Sequence, residues 1–118
     1  MNPTWEDVES ALRSIHPKEN SYFILTNKKG NYVQTAGARL RLIIEHRQKS
    51  MLGFKHVVFG QSPVDEERIS INYSGGAIAL NKNEILSLDD ALIIFKTFYD
   101  SDKFPESYLT RDVTDEQK

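Results

Sequence analysis

The segment from Ser87 to Tyr99 (SLDDALIIFKTFY) constrains the fold of this chain more than any other segment. Ser87 and Asp90 form a capping-box pattern, which is typical of a helix N-terminus. At about 100° per residue, the apolar side chains of this segment fall on one broad stripe. They are Leu88, Ala91, Leu92, Ile94, Phe95, Phe98 and Tyr99. Because burial of a large apolar side chain contributes about 1.5–3 kcal/mol, the helix must pack on an apolar surface. The sequence predicts that this surface is a β-sheet formed by the preceding residues.

A second amphipathic helix is predicted from Thr4 to Ile15. Thr4 and Asp7 repeat the capping-box pattern, and apolar residues recur at helical spacing behind them. The helix is expected to end before Pro17, because proline does not continue a helix.

Six strands are predicted between the two helices, each bounded by turn signals. They span Ser21–Thr26, Asn31–Thr35, Arg39–Arg47, Phe54–Phe59, Ile69–Tyr73 and Ala77–Leu80. Gly37 is expected to break or bulge the chain. After the second helix, Tyr108–Val113 is expected to add a short edge strand, and Thr114–Lys118 is expected to fray. The predicted fold is α+β: one antiparallel sheet of about six strands in a meander, with both helices packed on one face.

Length and composition narrow the class of protein. A chain of 118 residues is expected to form a single domain, residues 1–118. The net charge of −2 argues against a general nucleic-acid-binding protein, and the absence of cysteine excludes disulfides. The N-terminal sequence lacks the pattern of a signal peptide, and no apolar run approaches the roughly 18 residues that span a bilayer. A cytoplasmic location with no membrane contact is therefore expected.

The strand Arg39–Arg47 (RLRLIIEHR) carries the most distinctive charge pattern. Its residues alternate between two faces, as in a half-buried antiparallel strand. Leu40, Leu42, Ile44 and His46 form one face, and Arg39, Arg41, Ile43, Glu45 and Arg47 form the other. The second face is either the solvated side of an amphipathic sheet or a docking surface, because arginine makes bidentate contacts with carboxylates and phosphates. Ile93, which points away from the apolar stripe of its helix, is a second candidate contact.

No catalytic, cofactor-binding or metal-binding residue is predicted. If the turn after Arg47 centres near residue 51, His46 and His56 lie opposite or nearly opposite each other, but no third metal ligand has a matching spacing. The acidic run Asp65, Glu66 and Glu67 is typical of a solvated loop. Glu84 is expected to cap or orient the start of the following helix.

Several short patterns together resemble the "immunity protein one" family of bacterial polymorphic toxin systems. They are W-x-x-V-x-x-x-L (Trp5, Val8, Leu12), I-L-x-x-x-x-G-x-Y-V (Ile24, Leu25, Gly30, Tyr32, Val33), N-E-I-L-S-L-D-D-A-L-x-I-F (Asn83 to Phe95) and F-P-E-S-Y (Phe104 to Tyr108). The resemblance covers nearly the whole chain. It implies a protein that binds and neutralises a cognate toxin domain, often a nuclease or nucleic-acid deaminase, without catalytic residues of its own. The alternatives are an adaptor domain unrelated to toxins and a small enzyme or ligand-binding domain.

The expected docking surface depends on the target. A toxin that acts on nucleic acid usually presents a basic cleft, which favours the acidic groups Asp65, Glu66 and Glu67, or Asp100 and Asp102 after the helix. For any other toxin, the face with Arg39, Arg41, Glu45 and Arg47 is favoured, because charge complementarity speeds encounter and suppresses wrong partners.

Overall fold

A computed structural model describes residues 3–15, 21–39, 41–73 and 76–117 of the chain. Helix α1 spans Trp5–Arg13 and helix α2 spans Leu88–Ser101. The strands are β1 (Ser21–Thr26), β2 (Tyr32–Ala38), β3 (Arg41–Ser50), β4 (Gly53–Gly60), β5 (Arg68–Tyr73), β6 (Gly76–Asn81) and β7 (Leu109–Asp112). Two 3-10 helices follow β6 and β7, at Lys82–Glu84 and Thr114–Gln117. Among the residues discussed above, Pro17, Leu40 and Lys118 lie outside the described ranges.

The α+β fold is confirmed, but the strands divide between two sheets. The larger sheet is antiparallel and has the order β1-β2-β3-β4-β7, whereas β5 and β6 pair only with each other among the described strands. The open edge of β4 is taken by β7, which pairs Phe59 with Thr110. Hairpin turns determine which consecutive strands pair, but they do not determine which strand occupies a free edge. For this reason the single continuous meander expected from the sequence is wrong.

Both helices begin at the capping boxes that the sequence predicts. The Thr4 hydroxyl accepts a hydrogen bond from the Asp7 N–H at 3.2 Å, and the Ser87 hydroxyl accepts one from the Asp90 N–H at 3.4 Å. Helix α2 ends at Asp102, whose left-handed backbone (φ 56°) lets its N–H donate to the Phe98 carbonyl. Among the described residues, no helix is long and apolar enough to cross a membrane.

The main core lies between the two helices and one face of the larger sheet, as predicted. Ala91, Ile94, Phe95 and Phe98 of α2 and Val8 and Leu12 of α1 pack on alternate residues of the strands, which include Val33, Leu42, Ile44, Val57 and Phe59. We call this side of the sheet the helix face. Gly37 (φ 119°) does not interrupt β2, because it pairs with both Ser21 and Leu42.

The opposite side of the larger sheet carries a second, smaller core. Ala36, Ile43 and Val58 are buried there together with Leu80 of β6 and Val113. The β5–β6 hairpin therefore covers part of the surface that the sequence left to solvent. Beside this covered part lies an uncovered part, which is described next.

Candidate protein-binding surface

The uncovered part of the second side, here called the open face, is built from cross-strand neighbours. Antiparallel register places Ile24 beside Gln34 and Glu45, and Tyr32 beside Arg47 and His56. The open face consists of Tyr22, Ile24, Tyr32, Gln34, Arg47 and Phe54. Tyr22 and Ile24 are exposed, and the other four are partly exposed. The surface thus combines aromatic, aliphatic and arginine side chains on a rigid sheet, a composition that is enriched in protein interfaces.

A chain of polar contacts lies beneath the open face. The Tyr22 hydroxyl donates to Gln34 Oε1 at 2.8 Å, and Gln34 Nε2 donates to Glu45 Oε2 at 2.5 Å. The other Glu45 oxygen, Oε1, lies 3.4 Å from His56 Nε2, and Arg47 Nε donates to His56 Nδ1 at 3.1 Å. Glu45 is only 7 % exposed and His56 is fully buried. The expectation that Glu45 projects into solvent is therefore wrong, because its neighbours on β2 and β4 enclose it.

The hydrogen bond from Arg47 fixes the tautomer of His56. Because a guanidinium only donates, Nδ1 must accept, and the imidazole proton sits on Nε2, facing the Glu45 carboxyl group. The 3.4 Å separation of Nε2 and Oε1 is an electrostatic contact, since Nε2 makes no aligned hydrogen bond. In this arrangement a neutral imidazole links the carboxyl group to the guanidinium. Its evident role is to hold Arg47 in place.

Arg47 is also held by aromatic rings. Its Cζ lies 3.9 Å from the centroid of the Phe54 ring and 5.6 Å from that of Tyr32. Cation–π contacts of this kind contribute about 0.5–1 kcal/mol at exposed sites and more when they are desolvated. The guanidinium is therefore preorganised at the surface, which lowers the entropic cost of binding a partner.

Next to the open face, the β3–β4 hairpin ends in two fully exposed apolar residues, Met51 and Leu52. Turns usually carry Gly, Pro, Asn, Asp or Ser, so a Met–Leu pair in a tight turn is itself a sequence signal. The sequence analysis treated these residues only as a turn and missed them, together with Tyr22, Ile24 and Phe54.

The other arginines of the predicted face are located at the far end of β3. Arg39 turns back toward α1, where its Nη2 donates to the carbonyls of Arg13 (3.2 Å) and Ile15 (3.0 Å). Basic side chains commonly satisfy the last carbonyls of a helix in this way. Arg41 is exposed. The structure thus separates the arginines, because Arg39 is used by the fold and Arg47 belongs to the open face.

The acidic candidates are attached to different elements. Asp65, Glu66 and Glu67 are exposed in the loop before β5, where Asp65 Oδ1 accepts from the Glu67 N–H at 3.1 Å. Asp100 is exposed and pairs with Lys96 at 3.1 Å within α2.

Asp102 has a structural role. Its carboxylate accepts hydrogen bonds from Asn27 Nδ2 at 2.8 Å and from Asn31 Nδ2 at 3.1 Å, and it lies 3.7 Å from Lys29 Nζ. These contacts tie the end of α2 to the β1–β2 turn.

The histidines do not form a pair. The β3–β4 register places His46 beside Val57 and Arg47 beside His56, so the two imidazoles lie on opposite sides of the sheet. The expectation that they face each other is wrong by one residue, which in a strand reverses the side. His46 packs against Phe104, with ring centroids 4.1 Å apart, and burial lowers the pKa of His46 to about 4. Within the described ranges, no group of three or more His, Asp or Glu side chains could hold a metal ion.

A cleft of about 310 Å³ lies beside the β1–β2 turn. It is lined by Pro3, Leu25, Thr26, Asn27, Lys28, Phe98 and Tyr99, and the Tyr99 hydroxyl donates to the Pro3 carbonyl at 2.9 Å. This lining contains no carboxyl or imidazole group. The cleft therefore offers no acid–base pair of the kind that hydrolytic enzymes use.

Comparison of the chain with protein-family models gives no match. Comparison with curated proteins gives no significant match. Functional inference therefore rests on the residues and their arrangement.

Proposed function

We propose that this protein is an immunity protein that binds a toxin domain through the open face and neutralises it by protein–protein contact. The observation that carries the proposal is the open face itself: Tyr22, Ile24, Tyr32, Arg47 and Phe54 share one rigid, uncovered side of the sheet. Tyrosine and arginine dominate binding energies at protein interfaces. The sequence resemblance described above supplies the class of partner.

The polar contacts beneath the open face support a binding role. A surface that merely faced water would not need Arg47 to be fixed by His56 and stacked on Phe54. Fixing it reduces the ordering cost of a complex, which is how preorganised interfaces gain affinity. The buried Glu45 does not itself contact the partner; its place is to position His56 and Gln34.

The test is growth rescue with a matched pair of surface variants. The toxin domain encoded beside the gene for this protein is expressed in a sensitive host, alone and together with the parent protein or a variant. Ile24 and Ile93 are the same residue type with similar exposure, 40 % and 50 %, but they lie on the open face and on α2. We expect the parent and Ile93→Arg to restore growth and Ile24→Arg to fail.

Two outcomes contradict the proposal in different ways. A neighbouring gene product that is not toxic, or that kills equally well when the parent protein is present, contradicts the immunity function. Rescue by Ile24→Arg together with failure of Ile93→Arg leaves the function intact but moves the contact to α2. Thermal melts of both variants must match the parent, because exposed positions tolerate substitution with little change in stability.

A further inference from the structure

Two turns meet at one end of the larger sheet and bring cationic and apolar groups together. The β1–β2 turn, residues 27–30, lies beside the end of β3, because Tyr32 pairs with Arg47 and the Lys49 N–H donates to Asn31 Oδ1 at 2.8 Å. The Lys49 side chain crosses Gly30 so closely that a Cβ at this position would lie 2.9 Å from Lys49 Cδ. Glycine is therefore required there both for space and for its φ of 85°.

The charge at this end is strongly one-sided. Residues 28–56 contain seven cationic side chains and one acidic side chain, although the whole chain has a net charge of −2. The one acid, Glu45, is buried. Arg39 and Arg41 lie at the far end of β3, which leaves five cations near the two turns: Lys28, Lys29, Arg47, Lys49 and Lys55. Asp102, 3.7 Å from Lys29, and Asp112, near Lys55, offset only part of this charge.

The apolar pair at the hairpin tip stands in the middle of this positive charge. Met51 and Leu52 are fully exposed, so the fold gains nothing from their hydrophobicity. Burial of both on a partner would remove their apolar surface from water, and methionine is enriched at interfaces because its flexible side chain adapts to the surface it meets. We call Lys28, Lys29, Lys49, Met51, Leu52 and Lys55 the basic tip.

We infer that the basic tip inserts Met51 and Leu52 into an apolar pocket rimmed by carboxylates on the toxin domain. This inference rests on the proposed function and adds the chemistry of the contact surface. A toxin that acts on nucleic acid needs a positively charged cleft for the phosphate backbone, and such a cleft would repel the basic tip. The protein therefore binds such a toxin outside its nucleic-acid cleft, at an acidic surface.

A protein surface fits this arrangement better than a membrane surface. Tyr32, Arg47 and Phe54 of the open face lie directly beside the tip, and a shaped partner can contact both regions at once. A flat anionic bilayer would meet the tip while leaving the open face in water. Membrane binding is therefore an outcome that the experiment must distinguish.

The experiment measures the affinity of the purified toxin domain for the full-length protein and three double variants by calorimetry. Met51→Ser with Leu52→Ser removes the apolar pair, and Lys49→Gln with Lys55→Gln removes two cations. Asp65→Lys with Glu66→Lys alters the acidic loop and serves as the control. All six positions are exposed, so the variants are expected to melt at the parent temperature.

We expect the serine variant to bind at least about 30-fold more weakly, because two large apolar side chains lose their burial. The glutamine variant should bind roughly 5- to 10-fold more weakly and lose part of the salt dependence between about 50 and about 200 mM NaCl. The acidic-loop variant should bind as tightly as the parent or more tightly, because it does not touch the interface.

Each remaining outcome overturns a defined part of the account. If the parent binds and both tip variants bind equally well, the inference fails and the immunity function stands. If only the acidic-loop variant weakens binding, the toxin contacts the loop instead of the tip. If the parent does not bind the toxin domain, the inference and the proposed function both fail. If the parent co-sediments with phosphatidylserine-containing vesicles and the tip variants do not, the tip is a membrane contact and the inference is wrong.

Discussion

The buried ion pair between Glu84 and Arg111 gives the sharpest test of the fold. Glu84 follows β6 in the 3-10 helix Lys82–Glu84 and is 3 % exposed. Arg111 of β7 donates to both of its oxygens, from Nε at 2.7 Å and from Nη2 at 2.9 Å. The Asn81 N–H donates to Glu84 Oε1 at 2.8 Å. This cluster ties β7, the last strand of the larger sheet, to the end of the β5–β6 hairpin.

The size of the effect follows from what each substitution leaves behind. Removal of one partner of a buried pair typically costs about 3–5 kcal/mol. In Glu84→Gln the Arg111 side chain, already 31 % exposed, can be hydrated, so we expect a loss of about 2–3 kcal/mol. In Arg111→Met the Glu84 carboxyl group stays buried with one N–H donor, so we expect about 3–4 kcal/mol.

Urea unfolding of the two single variants and the double variant measures these losses and their coupling. We expect the double variant to be at least about 1.5 kcal/mol more stable than the sum of the single losses predicts. Asp100→Asn is the matched control, because it breaks an exposed pair with Lys96 and should cost less than about 0.5 kcal/mol. Single losses as small as that of the control, with additive effects in the double variant, would refute the placement of β7 against this 3-10 helix.

Three further predictions concern the core and the region around His46. Phe95→Ala should cost about 3–5 kcal/mol in chemical unfolding, because Phe95 is fully buried between α2 and the sheet; a loss below about 1 kcal/mol would contradict this packing. Burial lowers the pKa of His46 to about 4, below its value in the unfolded chain, so the unfolded state takes up the proton first and stability falls as the pH drops from about 6.5 toward 4. His46→Phe should remove about 3 kcal/mol of this loss, and melts that decline with pH as steeply as the parent would contradict it. Tyr108→Phe removes a 2.6 Å hydrogen bond to the Asp90 carboxylate and should cost about 1–2 kcal/mol, whereas an unchanged melt would mean that this contact does not form in solution.

The helices and the local hairpins were predictable because their signals are local. The capping boxes at Thr4 and Ser87 place the starts of α1 and α2 at the correct residues. Strand alternation likewise places Ile44 on the helix face and Ile43 on the other. These features depend on residues a few positions apart, and the physical rules that govern them act over the same distance.

The remaining features depend on contacts between distant parts of the chain. Nothing in Leu109–Asp112 indicates that it pairs with β4, and nothing in the β5–β6 hairpin indicates that it covers Ile43. Thr114 illustrates the same limit: the sequence offers no reason for order in the tail, yet its hydroxyl accepts from the His56 N–H at 3.0 Å and a 3-10 helix forms there.

The candidate surface was only partly predictable for the same reason. Alternation correctly places Arg47 on the side opposite the helices, but it also placed Arg39 and Glu45 there as free groups. Whether a polar side chain projects depends on its neighbours across the sheet, which bury Glu45. It also depends on the reach of long side chains, which lets Arg39 bind the end of α1.

Radical footprinting of side chains in the complex with the toxin domain tests the central claim most directly. Met51 is fully exposed in the free protein and, as a thioether, is readily oxidised, while Tyr22 on the open face is a second reporter. The account predicts that bound toxin protects both residues and leaves Ile93 on α2 as reactive as in the free protein. A complex that neutralises the toxin while Met51 and Tyr22 are oxidised at their free rates would contradict it.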